Sequence, residues 1–453
     1  MPLEAITPID GRYRKTVEPL SAYFSEQSLI RYRVIVEGEY FIALSEHKSI
    51  RLRAFTPAEK KLVRSLYHIT LEDAHAVKEF EAITNHDVKA VEYFMKDKLK
   101  GTSLKNELEW IHFALTSEDT NNLAYALILS ESVQQVLIPA LAAIVKTLNA
   151  FAREHKGLAM LARTHGQSAS PTTLGKEFRV FAVRLERQLK ALRAHRISVK
   201  LNGATGNYNA HIAAYPKIDW KRFTRMFVTR LGSRRSVRLA PNLITTQIEP
   251  HDTYAELFDM IRRINVILID FDQDVWRYVS DGWLSQKTKA GEVGSSTMPH
   301  KINPIDFENS EGNLGIANAL FGHFSLKLPI SRLQRDLSDS TVERNFGSAF
   351  AYCLVAYVSI SKGLKKIGAN AETISRELLL HQEVIAEAIQ TVLRREGAEM
   401  PYEALKRLTR GRRVTKKDFN KFIASLTVSR KVKNELRKIS PTTYIGLASI
   451  LSE

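Results

Sequence analysis

A chain of 453 residues, 44% of them apolar, can bury a large core, and at ~150 residues per domain its length suggests about three domains. The single cysteine, Cys353, excludes an internal disulfide and a cysteine-based zinc cluster within one chain, which fits a reducing compartment with the cytosol as the default. The net charge of +17 raises nucleic acid as a partner, yet fifteen Lys/Arg against five Asp/Glu fall between Arg394 and Ser440, so the surplus belongs largely to that stretch.

No aromatic-interleaved RNA motif or zinc finger accompanies the basic stretch. A solvated basic face is therefore preferred, then general attraction of anionic substrates, with specific nucleic-acid binding last. No basic-then-apolar leader opens the sequence, which argues against a secretory signal. The membrane-like stretch Phe346 to Ser361 is uncharged but shorter than the ~20 residues a spanning helix needs, and it reads as a buried core helix.

In chain order, residues 1–110 carry helical patterns punctuated by turn signals from Pro8 to Gly11, at Pro57 and at Gly101, and form the first expected domain. Residues 111–363 form the second, a central bundle of long helices. Its segments are Asn121 to Ala152, expected to kink at Pro139; the stripe Phe178, Phe181, Leu185, Leu189, Leu192; the stripe Leu257, Ile261, Ile264, Leu268, Phe271, Val275; Ile305 to Leu326; and the stripe Phe346, Phe350, Cys353, Tyr357, Ile360, Leu364. Spacings of three and four make these packing faces, some of them suited to packing between subunits. Residues 364–453, punctuated by Pro401, Gly411 and Pro441, form a small basic helical unit. The fold class is all-α, with three helical domains.

Five segments concentrate polar groups. Gly291 to Glu308 begins with two hinge-type glycines, Gly291 and Gly294, and ends with Asn303-Pro304, read as an N-cap and first helical position with Asp306 as the capping-box acid. A helix N-terminus there, beside Lys301, favours an anion. Gly-Ser-Ser alone reads more readily as an ordinary turn before a structural helix, and it is the full string with Met-Pro, Lys and Asn-Pro that sets the segment apart. Asn85-His86-Asp87, Thr116 to Asp119, Arg163 to Gln167 and Arg335 to Arg344 are each weak on their own. Thr-x-x-Asp is mainly a cap, a lone histidine is usually structural, and paired arginines with nearby acids usually form surface ion pairs, although Arg335, Ser340 and Arg344 could also present two guanidiniums and a hydroxyl to a phosphate.

The string Gly294-Ser-Ser-Thr-Met-Pro-His-Lys-Ile-Asn-Pro resembles the signature of the fumarase/aspartase superfamily, whose members add to fumarate or eliminate it from a succinyl group. Asp10-Gly-Arg-Tyr13, Thr84 to Glu92, His112 to Asp119, Arg163 to Gln167 and Thr245 to Asp252 are similar to the adenylosuccinate lyases within it, and the resemblance spans essentially the whole chain. One departure is Gln167-Ser168-Ala-Ser170-Pro171, where that family often has proline and threonine in place of the two serines. The resemblance implies β-elimination of fumarate from a succinylated purine nucleotide or its imidazole precursor. It implies Ser295 as general base, His165 as general acid with His86 as the rival, Glu308 as the carboxylate that orients His165, and Lys301 as a charge that stabilises the carbanion. Arg12, Tyr13, Arg335, Ser340 and Arg344 would hold phosphate and ribose, while Asn85, His86, Asp87, Thr116, Ser117, Thr164 and Gln247 would hold succinyl and purine groups, with Ser296, Asn303 and Asn309 also binding substrate. It implies no metal and no cofactor, and a homotetramer that joins its long helices into a larger bundle with active sites shared between subunits. The competing readings are another superfamily lyase, such as argininosuccinate lyase or fumarase, and a non-catalytic structural or nucleic-acid-binding relative.

Overall fold

The computed structural model describes residues 3–287, 297–298, 300–411 and 414–453, and among these the chain is helical apart from three two-stranded ladders. Contacts divide it into two units, each assembled from three segments. The first comprises Met1–Leu141, Gln188–Val266 and Gly312–Val358, and the second Ala142–Arg187, Ile267–Glu311 and Ser359–Glu453. The stretches 1–110, 111–363 and 364–453 partition the chain along its length, whereas the two units partition it in space.

Helices α1 (Arg14–Phe24), α2 (Glu26–Ser45), α3 (Pro57–Ser65), α4 (Leu71–Thr84) and α5 (Asp87–Leu99) open the first unit. Thr56 and Thr70 start α3 and α4 with reciprocal capping boxes to Glu59 and Asp73, and Pro57 sits in the first turn, where its missing N–H leaves nothing unpaired. α2 packs along α6 (Ser117–Ser132), and both are buried on nearly every side. Buried polar groups on α6 therefore need internal partners. Asp119 closes the cap at Thr116 (2.9 Å) and also accepts the Lys200 ammonium (2.7 Å) and the Asn202 backbone N–H (3.0 Å). Neither charged side chain of this ion pair reaches solvent.

α6 continues into α7 (Ile138–Glu154) through a π-helical turn, Val133–Leu137. The irregularity expected at Pro139 thus lies just before it, where the Ile138 N–H reaches back to the Val133 carbonyl and the ladder widens ahead of a residue with no N–H to give. The run Ser117–Glu154 is long and apolar enough by composition to cross a bilayer, although 56% of its apolar window is buried inside the protein itself. Sequence reading singled out Phe346 to Ser361 instead.

A hairpin, β1 (Ala159–Thr164) and β2 (Gln167–Thr173), leads into α8 (Leu174–Ala194). Then follow β3 (Ile197–Val199), α9 (Asn209–Ala214), α10 (Trp220–Arg235), and β4 (Leu239–Pro241), which pairs in parallel with β3. The long α11 (Asp252–Ser280) precedes β5 (Leu284–Gln286), α12 (Ile305–Lys327), the short α13 (Ser338–Glu343), α14 (Phe346–Lys366), and β6 (Ile367–Ala369), antiparallel to β5. Every residue of the three apolar stripes on α8, α11 and α14 is buried. In the first unit Phe258 packs against Phe346 (5.0 Å between centroids) and Phe321 (5.4 Å), and in the second Phe178 meets Phe151 (4.2 Å) and Phe271 (5.6 Å). Such pairs add about 0.5–1.5 kcal/mol each beyond their burial.

The chain closes with α15 (Ala371–Leu380), α16 (Ala386–Arg395), α17 (Pro401–Thr409), α18 (Lys416–Ser425), α19 (Arg430–Lys438) and α20 (Ala448–Leu451). Leu378, Ile389, Leu393, Leu405, Phe419, Ile423 and Leu436 form their common core. The described lysines and arginines from Arg394 onward lie mostly exposed around that core, as a solvated basic face requires.

Replacing Lys200 with Met would leave Asp119 buried and uncompensated. A loss of about 3–5 kcal/mol is expected in urea unfolding monitored by circular dichroism. A loss under 1 kcal/mol would show that the pair does not hold this region.

Candidate active site

In the first unit, Asn85 ends α4 in the left-handed conformation (φ 50°), turning the chain so that His86 caps α5. His86 Nδ1 accepts the Lys89 backbone N–H (3.2 Å), so the neutral ring carries its proton on Nε2, which faces Ser117 Oγ at 3.4 Å. Asp87 accepts from Arg33 (2.6 Å) and from Arg344 (3.3 Å). Burial works against its ionisation, but the Arg33 guanidinium, helped by Arg344, outweighs burial and holds the carboxyl below its usual range. Arg344 also donates to the Ser340 hydroxyl and carbonyl, and Arg335 donates to Gln247 Oε1 (3.4 Å). His86 and Ser117 are thereby joined by contact, as are Asp87, Arg344 and Ser340, and Gln247 with Arg335; Asn85 and Thr116 adjoin this set in the chain. Arg12 is exposed just before α1, with Tyr13 at its N-cap, and no contact among the described residues ties Arg12 to this set.

A buried layer of charge adjoins the set. Glu118 lies 3.2 Å from Arg335 Nη2, Asp339 lies 3.8 Å from Arg335 Nε, and His251 Nε2 is 3.5 Å from Glu343 Oε1, an ion pair rather than an aligned hydrogen bond. His251 Nδ1 donates to the Leu328 carbonyl (3.4 Å). Three carboxyls facing one guanidinium and one imidazole cannot all be ionised out of water. Burial, reinforced by Glu343, pushes Glu118 up to about 8. For His251 burial disfavours the charge, but Glu343 and then Glu118 overcome it and raise the ring to about 9.

In the second unit, Thr164 and Gln167 pair across a two-residue turn, His165-Gly166, with φ 53° and 74°. Two positive φ values mark a primed hairpin turn, which matches the twist of the strands. Glycine adopts it freely, whereas His165 is held there at a cost of about 1–2 kcal/mol and stands exposed at the tip. The helix expected from Asn303 begins one residue later. Phe307 N–H, which an Asn303 cap would claim, turns to Pro304 O (3.0 Å), and Glu308 N–H bonds the same carbonyl (3.3 Å). Lys301 is exposed and has no ion-pair partner among the described residues. Asp306 pairs with Lys366 (3.0 Å), Glu308 accepts from Trp276 Nε1 (3.1 Å), and Asn309 donates to Ser359 (2.7 Å). Among the described residues of one chain, His165 is not bonded to Glu308. Ser295, Ser296 and the glycines Gly291 and Gly294 lie outside the described residues.

A lyase family model matches residues 11–322, and one for the adenylosuccinate lyase C-terminal region matches residues 331–445. The chain is 50% identical over 452 residues to an adenylosuccinate lyase of Legionella pneumophila (strain Corby), covering 99% of this chain and 98% of the relative. It is 50% identical over 454 residues to that of Haemophilus influenzae (100% and 98% covered) and 49% over 449 residues to that of Escherichia coli K12 (98% and 97%). The chain belongs to the adenylosuccinate lyase family. Its fold is shared with a fumarate lyase from Mesorhizobium sp. BNC1 (TM-score 0.74, 16% identity, 96% of each chain) and a 3-carboxy-cis,cis-muconate lactonizing enzyme from Pseudomonas putida (TM-score 0.71, 17% identity, 96% and 95%).

Sequence reading of this lyase quoted Glu118 and His251 within longer motifs but assigned neither a task, and it passed over Asp339 and Glu343 as anything more than surface acids. Their i,i+4 spacing on α13 was the available signal, since it puts two carboxyls on one helix face.

The pH consequence has a definite sign. Glu118 and His251 each titrate higher in the folded protein than at their ordinary values of 4.5 and 6.5, so the folded state holds more protons between those values and about 8 and 9. Their stabilisation is complete below the ordinary values and is lost as pH rises through the folded ones. Urea midpoints should therefore fall between pH 6.5 and 9, and fall less for Glu118→Gln, which mimics the protonated acid. Equal slopes for both proteins would mean Glu118 holds no extra proton.

Proposed function

We propose that the chain catalyses β-elimination of fumarate from adenylosuccinate, giving AMP, and from the succinylated imidazole carboxamide ribotide of purine synthesis. The observation that carries this reading is the identity of about one half, over virtually the whole length, to adenylosuccinate lyases. The proton to be removed sits on carbon beside a carboxylate, so the carbanion must be stabilised as an aci-carboxylate. We assign that task to Lys301, Asn303 and the N-terminus of α12, where one well-placed donor contributes about 3 kcal/mol. Ser295 takes the proton, activated by desolvation and neighbouring positive charge. The C–N bond breaks, its electron pair goes to the purine-side nitrogen, and His165 protonates that nitrogen.

The phosphate and ribose fall to Arg335, Ser340 and Arg344, with Arg12 and Tyr13, and the succinyl and purine groups to the set around His86 and Ser117, with Thr164, Ser296 and Asn309. Arg344 in contact with the Ser340 hydroxyl, with Arg335 nearby in the chain, supports the phosphate role. His86, with Nε2–H directed at Ser117, is better placed to donate to substrate than to serve as the second acid. Glu308 orients His165 in this reading, and the pairing forms between copies, because within one chain Glu308 holds Trp276 and His165 stands exposed. The assembly is a cytosolic homotetramer with shared sites and needs no metal or cofactor. Exposed Val180 and Val183 on α8, Val266 on α11 and Ile316 on α12 give its long helices apolar surface to bury.

Ser295→Ala should lower fumarate release by about 10² to 10⁴ while substrate affinity changes little. Near-normal turnover would remove serine from the role. Progressive dilution, followed by light scattering and assay together, should abolish activity as the tetramer dissociates, and an active monomer would refute site sharing.

A further inference from the structure

The strands that present His165 are tied down by polar groups from a C-terminal segment of the same unit. Ser168 Oγ lies 3.1 Å from His381 Nδ1, and that nitrogen is 2.7 Å from Glu383 Oε1. A carboxylate can only accept, so Nδ1 carries the proton and Ser168 Oγ accepts as well. Ser170 donates to Glu387, which also receives the Tyr444 hydroxyl (2.9 Å). On the facing strand, Arg163 donates to Glu377, and Trp283 donates to the same carboxylate. Both strands of the hairpin are thus held close to the tip by side chains between Glu377 and Glu387.

These contacts matter because a two-stranded hairpin is marginal by itself in water, and this one holds a left-handed histidine at its end. A misplacement of about 1 Å in a reacting group can cost ~10²-fold in rate. We propose that the His381–Glu383 pair, acting through Ser168, positions the hairpin that carries the acid; this rests on the assignment of His165 above. His381 and Glu383 are positioning residues, remote from the reacting atoms. The hairpin register supplies an independent check. Thr164 and Gln167 flank the two-residue turn as the hydrogen-bonded pair, so Arg163 and Ser168 form the next, non-bonded pair, and the Ser168 N–H points away from the ladder. Proline at 168 would cost no ladder bond and would stiffen the strand by fixing φ.

The test uses the assembled enzyme and follows kcat, KM and the pH profile of kcat for His381→Ala, Ser168→Ala, and His381→Ala combined with Ser168→Pro, with His165→Gln as control. His381→Ala should lower kcat about tenfold or more with KM little changed, and should move the limb of the pH profile that reports the acid. Ser168→Ala should do the same more weakly, and it decides the matter if His381→Ala does not fold. Adding Ser168→Pro should restore most of the lost kcat. Wild-type kcat and pH profile in Ser168→Ala and His381→Ala would overturn the positioning role, as would failure of the proline to rescue. If His165→Gln is inactive in that case, the assignment of the acid survives. An active His165→Gln would instead overturn that assignment.

Discussion

The ion pair between Asp119 and Lys200 is the constraint on which the polar surface around Ser117, Gln247 and Arg335 depends. Two opposite charges removed from water are tolerable only when their remaining hydrogen-bonding capacity is met, and here it is met by backbone. Asp119 accepts the N–H groups of Thr116, Asn202 and Gly203, while the Lys200 ammonium also reaches the Gly203 carbonyl (3.1 Å). One carboxylate therefore fixes both the start of α6, with Thr116, Ser117 and Glu118, and the loop after β3. The loop carries the constraint onward. Asn202 bonds Thr245 Oγ1 (2.9 Å), and Gly206, at φ 79°, approaches the Thr245 carbonyl so closely that a Cβ would lie 2.2 Å from it. Gln247, two residues further, then reaches Arg335. Arg335, which is proposed to hold phosphate, is thus located at one remove by a wholly buried ion pair.

The two units treat their reactive groups differently. In the first, the residues proposed to bind substrate rest on buried carboxyls and an imidazole, and burial and mutual interaction set the protonation of Glu118 and His251. Such a layer resists rearrangement, because moving Arg335 would take from Glu118 and Asp339 the guanidinium they share and leave their oxygens buried without it. In the second, His165 stands at the end of a short ladder, exposed and in a strained backbone conformation. In the proposed mechanism His165 must meet substrate and a carboxylate from another copy, and it gains from such projection provided that the strands beneath it are braced.

Legibility in the sequence followed the range of the interactions. The stripes on α8, α11 and α14 were readable because a spacing of three and four residues is a local consequence of helix geometry, and the cap at Thr116 because Thr-x-x-Asp is local too. The start of α12 was displaced by one residue, since the competition between Asn303 and Pro304 for one N–H is settled by the tightness of the turn. The hairpin was not foreseen at all. Gln167 to Thr173 is polar and lacks the alternation of a half-buried strand, and its partners at Glu377, His381 and Glu387 are some two hundred residues away. The Glu118–His251 layer was equally hidden, because no local pattern distinguishes a buried acid from a solvated one.

Charge offers a last instance of location outweighing amount. The surplus from Arg394 to Ser440 dominates the total of +17, yet exposed charges act over only about 8 Å at physiological ionic strength. A substrate with two carboxylates and a phosphate is thus governed near its site by the few cations within that distance. Of the guanidiniums nearby, Arg33 and Arg344 are already engaged by the ionised Asp87. Lys301 is exposed and has no ion-pair partner among the described residues, and it adjoins the N-terminus of α12. In the proposed mechanism an ammonium with no ion-pair partner among the described residues changes its interaction most when negative charge develops nearby, which suits Lys301 to the carbanion better than the larger but screened charge of the C-terminal helices.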